Sequence, residues 1–341
     1  MKFTTPLNLV LLFSFFIFST ILLFFYQKIA IKFNILDYPT TRSSHHTPRP
    51  RGSGIVFVVL WFIFLLFFLP QNITMYGWVI VPGALVTVLI AFLDDLFKVA
   101  AKWRLIAYFF ASILGVIWLE GLPVIHLGFR MLHLSVFGSV LAVFAIVWSI
   151  NLYNFMDGID GLATLEAIFV FGFGGCFLWY SGGDSLAMLS FGLTSIMFGF
   201  LVWNFPPAKM FMGDAGSTFL GFLIPIFSFL GEKFYNLPAL LWVMLYGFFI
   251  FDASITLLRR MIRDTHWYKP HRLHAFQRLQ LKHASHRKAL TAIFRVNCII
   301  SVLACLAFFF QTYLLVYLGI EIVFLFLFYI WIEIKHPMYF E

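Results

Sequence analysis

Apolar residues are gathered into eleven long stretches, at positions 6–27, 54–70, 77–93, 104–120, 135–150, 161–181, 185–203, 217–231, 237–257, 294–312 and 314–332. Most approach the roughly 20 residues needed to cross a hydrocarbon core about 30 Å thick. The pattern predicts an all-α, polytopic membrane protein with about eleven transmembrane helices. The first stretch is too long for the h-region of a signal peptide, and no small-x-small cleavage site follows it, so it counts as a span. Polar positions collect in five segments, 37–54, 94–104, 151–160, 204–217 and 258–293. No internal repeat divides the chain, so residues 1–341 read as one membrane-embedded domain.

Composition agrees with this reading and adds little to it. Apolar residues make up 62% of the chain and charged ones 11%, against roughly 45–50% apolar in soluble domains. Cys176, Cys298 and Cys305 all fall inside apolar runs without metal-ligand spacing, which reads as small buried hydrophobes. The charge matters more for where it lies. Of the 23 Lys and Arg residues, 20 fall on one side of the eleven-span topology and only Lys2, Arg130 and Lys233 on the other. Positively charged loops stay in the cytoplasm, which puts the N-terminus outside and the C-terminus inside. The net charge of +8 is thus largely topology, and no nucleic-acid partner is expected.

The same topology places all five polar segments on the cytoplasmic face. Asn151, Asn154, Asp157 and Asp160 recur at every third position beside apolar runs. An aspartate in the hydrocarbon costs about 2.5–3.5 kcal/mol on insertion scales, so such a cluster is a candidate site. Asp94 and Asp95 end the third span, followed by Lys98, Lys102 and Arg104. Adjacent like charges are compatible either with a solvated helix end or with Mg²⁺, which binds through one or two carboxylates and substrate phosphates. Segment 204–217 runs from Asn204 to Gly213-Asp214-Ala-Gly216-Ser217, where glycines flank a lone carboxylate. In 37–54, Gly52 and Gly54 allow close backbone approach in a basic loop that could anchor the chain or bind phosphate. The longest loop holds His271, Arg272, His274 and Arg278. The guanidinium groups suit pyrophosphate or anionic lipid. Zinc is weakly supported, since the two histidines lack a nearby third ligand. Outside, His126 and His133 read as surface histidines in a loop that either turns as a hairpin around Gly128 or lies at the interface.

Carboxylates, amides, glycines and cations on one face match the inventory of phosphoryl transfer, in which positioning and charge neutralisation dominate. The residues Asp94-Asp95, Asn151-x-x-Asn154-x-x-Asp157-Gly-x-Asp160-Gly-Leu-Ala163 and Gly213-Asp214-Ala-Gly-Ser217 then resemble, in order, the motifs of the polyprenyl-phosphate N-acetylhexosamine-1-phosphate transferases of glycosyltransferase family 4. The resemblance runs from about Asp37 to Leu279. It implies a multi-pass protein of the bacterial inner membrane, embedded in membrane lipid, that takes a UDP-activated N-acetylhexosamine and undecaprenyl phosphate, with Mg²⁺ as cofactor and Mn²⁺ as a substitute. A homodimer is among the arrangements it allows. By the resemblance, Asp214 and Asn154 are the metal ligands. Asp94, with Asp95 beside it, is the base or lipid-phosphate contact, and Lys98 binds phosphate. Phe211 stacks on uracil. Asn151, Asp157 and Asp160 serve the nucleotide and catalytic pocket, with Asn204 on the substrate side. His271, Arg272 and His274 hold the pyrophosphate and sugar. The last loop departs from the His-x-His-His of several members and reads His274-Ala-Phe-Gln277, as in members that start O-antigen-type glycans.

The expected reaction is transfer of a sugar 1-phosphate to the lipid phosphate with release of UMP, starting an envelope polysaccharide. The competing class is a transporter or flippase for an anionic lipid or solute. Transporter sites sit near the bilayer midplane between repeated halves, whereas here the acids cluster at span ends.

Overall fold

The structure is a computed structural model that describes residues 6–39, 47–68, 73–263, 271–283 and 285–339. Thirteen α-helices account for most of these residues: α1 (Pro6–Lys32), α2 (Gly54–Phe68), α3 (Ile73–Phe97), α4 (Ala101–Trp118), α5 (Ser135–Met156), α6 (Leu162–Tyr180), α7 (Asp184–Asn204), α8 (Asp214–Tyr235), α9 (Ala239–Leu245), α10 (Gly247–Arg263), α11 (Ala275–His283), α12 (His286–Phe309) and α13 (Leu314–Lys335). The described residues also hold a 3₁₀ turn, Gln311–Tyr313, and two short antiparallel strand pairs, β1 (Leu36–Asp37) with β2 (Arg49–Pro50) and β3 (Ile125–His126) with β4 (Met131–Leu132).

Among the described residues, nine helices are long and apolar enough to cross a membrane, and α9 with α10 forms a further, bent candidate. The protein is a polytopic, mostly helical membrane protein. The expected single span at 237–257 breaks at Tyr246, where α9 and α10 meet at 73°. At the second apolar stretch, α2 has 15 described residues, about 22 Å at 1.5 Å per residue, and residues 69–72 after it lie outside the described residues. The expected long loop at 258–293 is largely helical in its described part: α10 runs to Arg263, α11 lies within it, and α12 begins at His286.

Helix α8 is the centre, packed against α2, α3, α5, α6 and α9, with nearly every residue from Ala215 to Glu232 buried. In hydrocarbon, where helices gain little from leaving lipid, close backbone approach through small residues drives packing. A Cβ on Gly221 would lie 2.7 Å from the Ser149 carbonyl of α5, and one on Gly83 of α3 would lie 2.3 Å from Phe222. Ser149 Oγ donates to the Gly221 carbonyl at 2.7 Å across the same crossing. By contrast, α1 and α13 lie on the periphery with apolar side chains exposed along most of their length.

Two expectations about single residues change. His126 is not a free surface histidine: the loop forms a hairpin, Leu127 N–H to the Arg130 carbonyl at 2.8 Å, and the His126 ring pairs with the buried carboxylate of Glu232. The three cysteines are free, but Cys176 is exposed on the outer surface of the bundle and the other two are only half-buried.

Candidate active site

The site forms where the ends of α3, α5 and α7 meet the beginnings of α2, α4, α6, α8 and α12. Helix α3 stops because Lys98 takes a left-handed backbone, φ 52°, with its N–H closing on the Asp94 carbonyl at 2.9 Å. The chain turns at once into α4, so Arg104 points back at the residues just passed. Its Nη1 lies 2.5 Å from Asp94 Oδ2 and 3.4 Å from Asp214 Oδ2. Asp214 is the first residue of α8, where the positive end of the helix dipole favours a carboxylate. Arg51 Nη2 donates to the Asp95 carbonyl at 2.9 Å and lies 3.6 Å from Asp95 Oδ1. Lys98 itself is exposed.

Glycines join the two loops that frame these acids. Phe211 N–H donates to the Pro50 carbonyl at 2.8 Å, Ser53 N–H to the Phe211 carbonyl at 3.2 Å, and Gly54 N–H to the Met212 carbonyl at 2.8 Å. Gly213, at φ 77°, meets Gly52 so closely that a Cβ there would lie 2.8 Å from the Gly52 Cα; a Cβ on Gly54 would lie 2.7 Å from the Gly216 Cα. The glycines of 37–54 therefore serve contact with the 211–216 loop. Residues 40–46 of that segment, with Arg42, lie outside the described residues. The Phe211 side chain, three residues before Asp214 in the chain, is partly accessible.

Helix α5 continues through Asn151 and Asn154 to Met156. Asn151 Nδ2 donates to the Val147 carbonyl of its own helix at 2.8 Å. Asn154 Nδ2 donates to Ser217 Oγ at 2.9 Å, and its amide lies close enough to Asp214 to act on that charge. Beyond the helix the two aspartates part company. Asp157 is partly open to solvent but ringed by protein; burial, then the charges of Asp214 and Asp160, push its carboxyl up to about 7. Asp160 goes the other way. Burial alone would raise it, but hydrogen bonds with His286 and the Ala208 amide, and the charges of His286 and Arg49, outweigh burial and lower it. Its Oδ2 accepts from Ala208 N–H at 2.9 Å, and its Oδ1 lies 3.1 Å from His286 Nδ1. Asp160 thus joins the 204–210 segment to the start of α12.

Asn204 is also spent inside the fold. Only 4% exposed, it accepts at Oδ1 from Gly161 N–H at 3.1 Å and Thr164 Oγ1 at 2.7 Å, and donates from Nδ2 to the Met210 carbonyl at 3.1 Å. In the last segment His271 and Arg272 are partly exposed, whereas His274 is buried with Nδ1 3.7 Å from Asp252 Oδ1. Arg278, which the sequence offers to pyrophosphate, turns inward to Glu333 at 2.6 Å. Residues 264–270 lie outside the described residues.

The structure therefore gathers Asp94, Asp95, Asn154, Asp157 and Arg104 around Asp214, and commits Asp160 and Asn204 to neighbouring protein groups. Sequence reading gives no role to Arg51, Arg104, Asp252 or His286. The spacing from Asp94 to Arg104 signals nothing on a continuous helix; the break at Lys98 creates the contact.

The donor set fits a hard divalent cation. Asp214 and the Asn154 amide offer oxygen chemistry, and a cationic guanidinium already bridges Asp94 and Asp214. Among the described residues no three His, Cys, Asp or Glu side chains form a metal cage. Mg²⁺ keeps water and substrate phosphate oxygens among its ligands and needs only one or two protein donors of this kind.

The sequence profile described as "Glycosyl transferase family 4" matches residues 77–232, the segment that carries Asp94, Asp95, the 151–160 cluster and Asp214. A Bacillus subtilis protein named "Probable undecaprenyl-phosphate N-acetylglucosaminyl 1-phosphate transferase" is 29% identical over 296 residues, covering 82% of this chain and 78% of that relative. The Escherichia coli K12 "Undecaprenyl-phosphate alpha-N-acetylglucosaminyl 1-phosphate transferase" is 34% identical over 224 residues, 62% of this chain and 59% of that protein. Its Salmonella typhi counterpart is 33% identical over 238 residues, 66% and 62%. This chain thus spans under two thirds of the length of the two enterobacterial relatives. The profile match and these relatives point the same way: this chain is similar to members of glycosyl transferase family 4 over the stretch that carries the site.

Proposed function

We propose that the protein transfers an N-acetylhexosamine 1-phosphate from a UDP-sugar to undecaprenyl phosphate, releasing UMP, at the cytoplasmic face of a bacterial inner membrane, and so starts an O-antigen or related envelope polysaccharide. The reading is supported by the relatives' names and carried by one observation: Arg104 stands between Asp94 and Asp214, with Asp95 and Asp157 close by. Carboxylates from three distant segments converge there with less positive charge than they need. An eleven-span topology with α2 and the α9–α10 pair counted as spans, N-terminus outside, puts this end in the cytoplasm, where a nucleotide sugar is found.

A lipid phosphate monoester has a second pKa near 6 and is largely dianionic at pH 7, so it needs positioning more than deprotonation. Its oxygen forms the new bond to the β-phosphorus of the UDP-sugar while the bond from that phosphorus to the bridging oxygen breaks and UMP leaves. Asp94, oriented by Arg104, is suited to place the acceptor or take a residual proton. Asp214 and Asn154 would hold Mg²⁺, for which Mn²⁺ can substitute and which would neutralise phosphate charge. Phe211 offers a ring to the uracil, since base–aromatic stacking contributes roughly 1–3 kcal/mol, and His271 with Arg272 face the pyrophosphate and sugar.

The test is purified protein with undecaprenyl phosphate, Mg²⁺ and a panel of UDP-N-acetylhexosamines, including GlcNAc and its 6-deoxy relatives, with UMP release measured. Lipid-dependent release with one donor is expected. No release with any donor overturns the reading.

A further inference from the structure

Helix α11 has nine residues, too few to be stable in water unaided, so its neighbours decide where it sits. Three anchors hold it. Asp252 of α10 accepts from the first two amides of α11, Ala275 N–H at 2.8 Å on Oδ1 and Phe276 N–H at 3.1 Å on Oδ2. Phe276, wholly buried, packs with Gln277 against Gly158 in the Asp157–Asp160 turn. A Cβ on Gly158 would lie 3.0 Å from the Phe276 ring and 3.2 Å from Gln277 Nε2. The third anchor comes from the far end of the chain. Arg278 Nη1 donates to Glu333 Oε2 at 2.6 Å and to the His336 carbonyl at 2.6 Å, with its guanidinium 5.3 Å from the Tyr329 ring.

Glu333 is itself held from several sides. Arg259 grips it bidentately, Nη1 to Oε2 at 2.7 Å and Nη2 to Oε1 at 2.9 Å, and Met338 N–H donates to Oε1 at 3.0 Å. The Arg278 side chain is only 5% exposed. A buried guanidinium that loses its carboxylate partner is strongly destabilised where it stands, so Glu333 determines whether Arg278 can stay in. Because α11 also rests on Gly158, a shift at Arg278 is transmitted to the contact between α11 and the acidic turn, and to His271 and Arg272 just before it.

We propose that Glu333 is a positioning residue for the transferase: acting through Arg278, it clasps α11 to α13 and so fixes the His271–Arg272 segment over the donor half of the site. This rests on the reading of that segment given above. A residue that only adds stability would lower the melting temperature and leave the kinetics of both substrates alike. A positioning residue acts on one substrate.

The experiment compares full-length wild type, Glu333→Gln and Glu333→Asp in detergent, by steady-state kinetics and by hydrogen exchange of peptides covering 271–279. In Glu333→Gln, KM for the UDP-sugar is expected to rise about tenfold, equivalent to about 1.4 kcal/mol, with KM for undecaprenyl phosphate unchanged. Exchange over 271–279 should accelerate, and Glu333→Asp, which keeps the charge, should fall between. The double variant Glu333→Gln, Arg278→Gln should be no worse than the more impaired single, because both break one contact. Equal KM changes for the two substrates, additive variants, or unchanged exchange would each overturn the clasp. If wild type turns over no UDP-sugar, the reading of the reaction fails, while the exchange measurement still decides whether Glu333 fixes α11.

Discussion

The two ends of α8 carry one carboxylate each, Asp214 at its first residue and Glu232 eighteen positions on, about 27 Å away along the axis. Glu232 is saturated. Its Oε1 takes the His126 N–H at 3.0 Å and pairs with the His126 ring, and its Oε2 takes the Ala239 N–H at 2.5 Å. Nearby, Lys233 Nζ donates to Glu120 and to the Leu119 carbonyl, both at 2.7 Å, and Tyr76 bonds Tyr235 at 2.7 Å, so the polar groups at this end have partners. Asp214 instead shares Arg104 with Asp94, and feels Asp95 and Asp157 as well. Paired acids close a structure. Acids in excess of their partners are what the proposed cation and phosphate require, and this asymmetry separates the proposed working end from the end that holds the fold.

Removing the shared acid should have the largest effect. Asp214→Asn keeps the shape and removes the charge, and turnover is expected to fall roughly 10³-fold, the upper range for loss of one preorganised electrostatic group. UMP release titrated with Mg²⁺ checks it; full activity at the wild-type metal concentration would refute the assignment of Asp214 to the metal. Asp94→Asn should do less, lowering kcat about a hundredfold, the lower end for a positioned acid–base group, while UDP-sugar binding persists. An unchanged kcat removes Asp94 from the chemistry. The converse belongs to the other end of α8. Glu232→Gln keeps a single accepting oxygen, so either the His126 N–H or the Ala239 N–H is left facing an NH2 group that cannot accept, a loss of about 1–3 kcal/mol for an unsatisfied buried group. Its thermal melt should fall with kcat intact, and a matching loss of kcat would mean the two ends are not independent.

Much of this comparison was legible in the chain itself, and the parts that were not share a cause. Apolar run length locates the helices because a bilayer demands it. The acids and glycines of the site stand out because polar residues are costly in this setting. What stayed hidden depends on backbone breaks. Arg104 reaches Asp94 only because Lys98 turns left-handed, and α9 bends from α10 at Tyr246 inside an unbroken apolar run. Buried partners hide for the same reason. Asn204 and Asp160 sit in the motif region like ligands, yet their oxygens go to Gly161, Thr164 and Ala208, contacts between segments that no local spacing encodes. His126 looks solvated in its loop because Glu232 is 106 positions away.

The smallest effect expected is the one that tests charge excess without chemistry. Asp157 titrates near 7 in the folded protein, above the ordinary value of 3.8, because burial and the charges of Asp214 and Asp160 disfavour its ionised form. A raised carboxyl stabilises the fold fully below its ordinary pKa and loses that contribution as pH climbs through the folded value. Metal-free protein should therefore melt at lower temperature at pH 8 than at pH 5. The Asp157 share is on the order of a few kcal/mol at most, and smaller to the extent that solvent reaches the carboxylate. Asp157→Asn cannot ionise, so thermal melts in chelator should show its slope between pH 4 and 8 flattened relative to wild type, with the curves meeting at the acid end. If Asp157→Asn leaves the slope unchanged, its carboxyl is already neutralised by a partner, and the excess of negative charge at the working end of α8 is smaller by one.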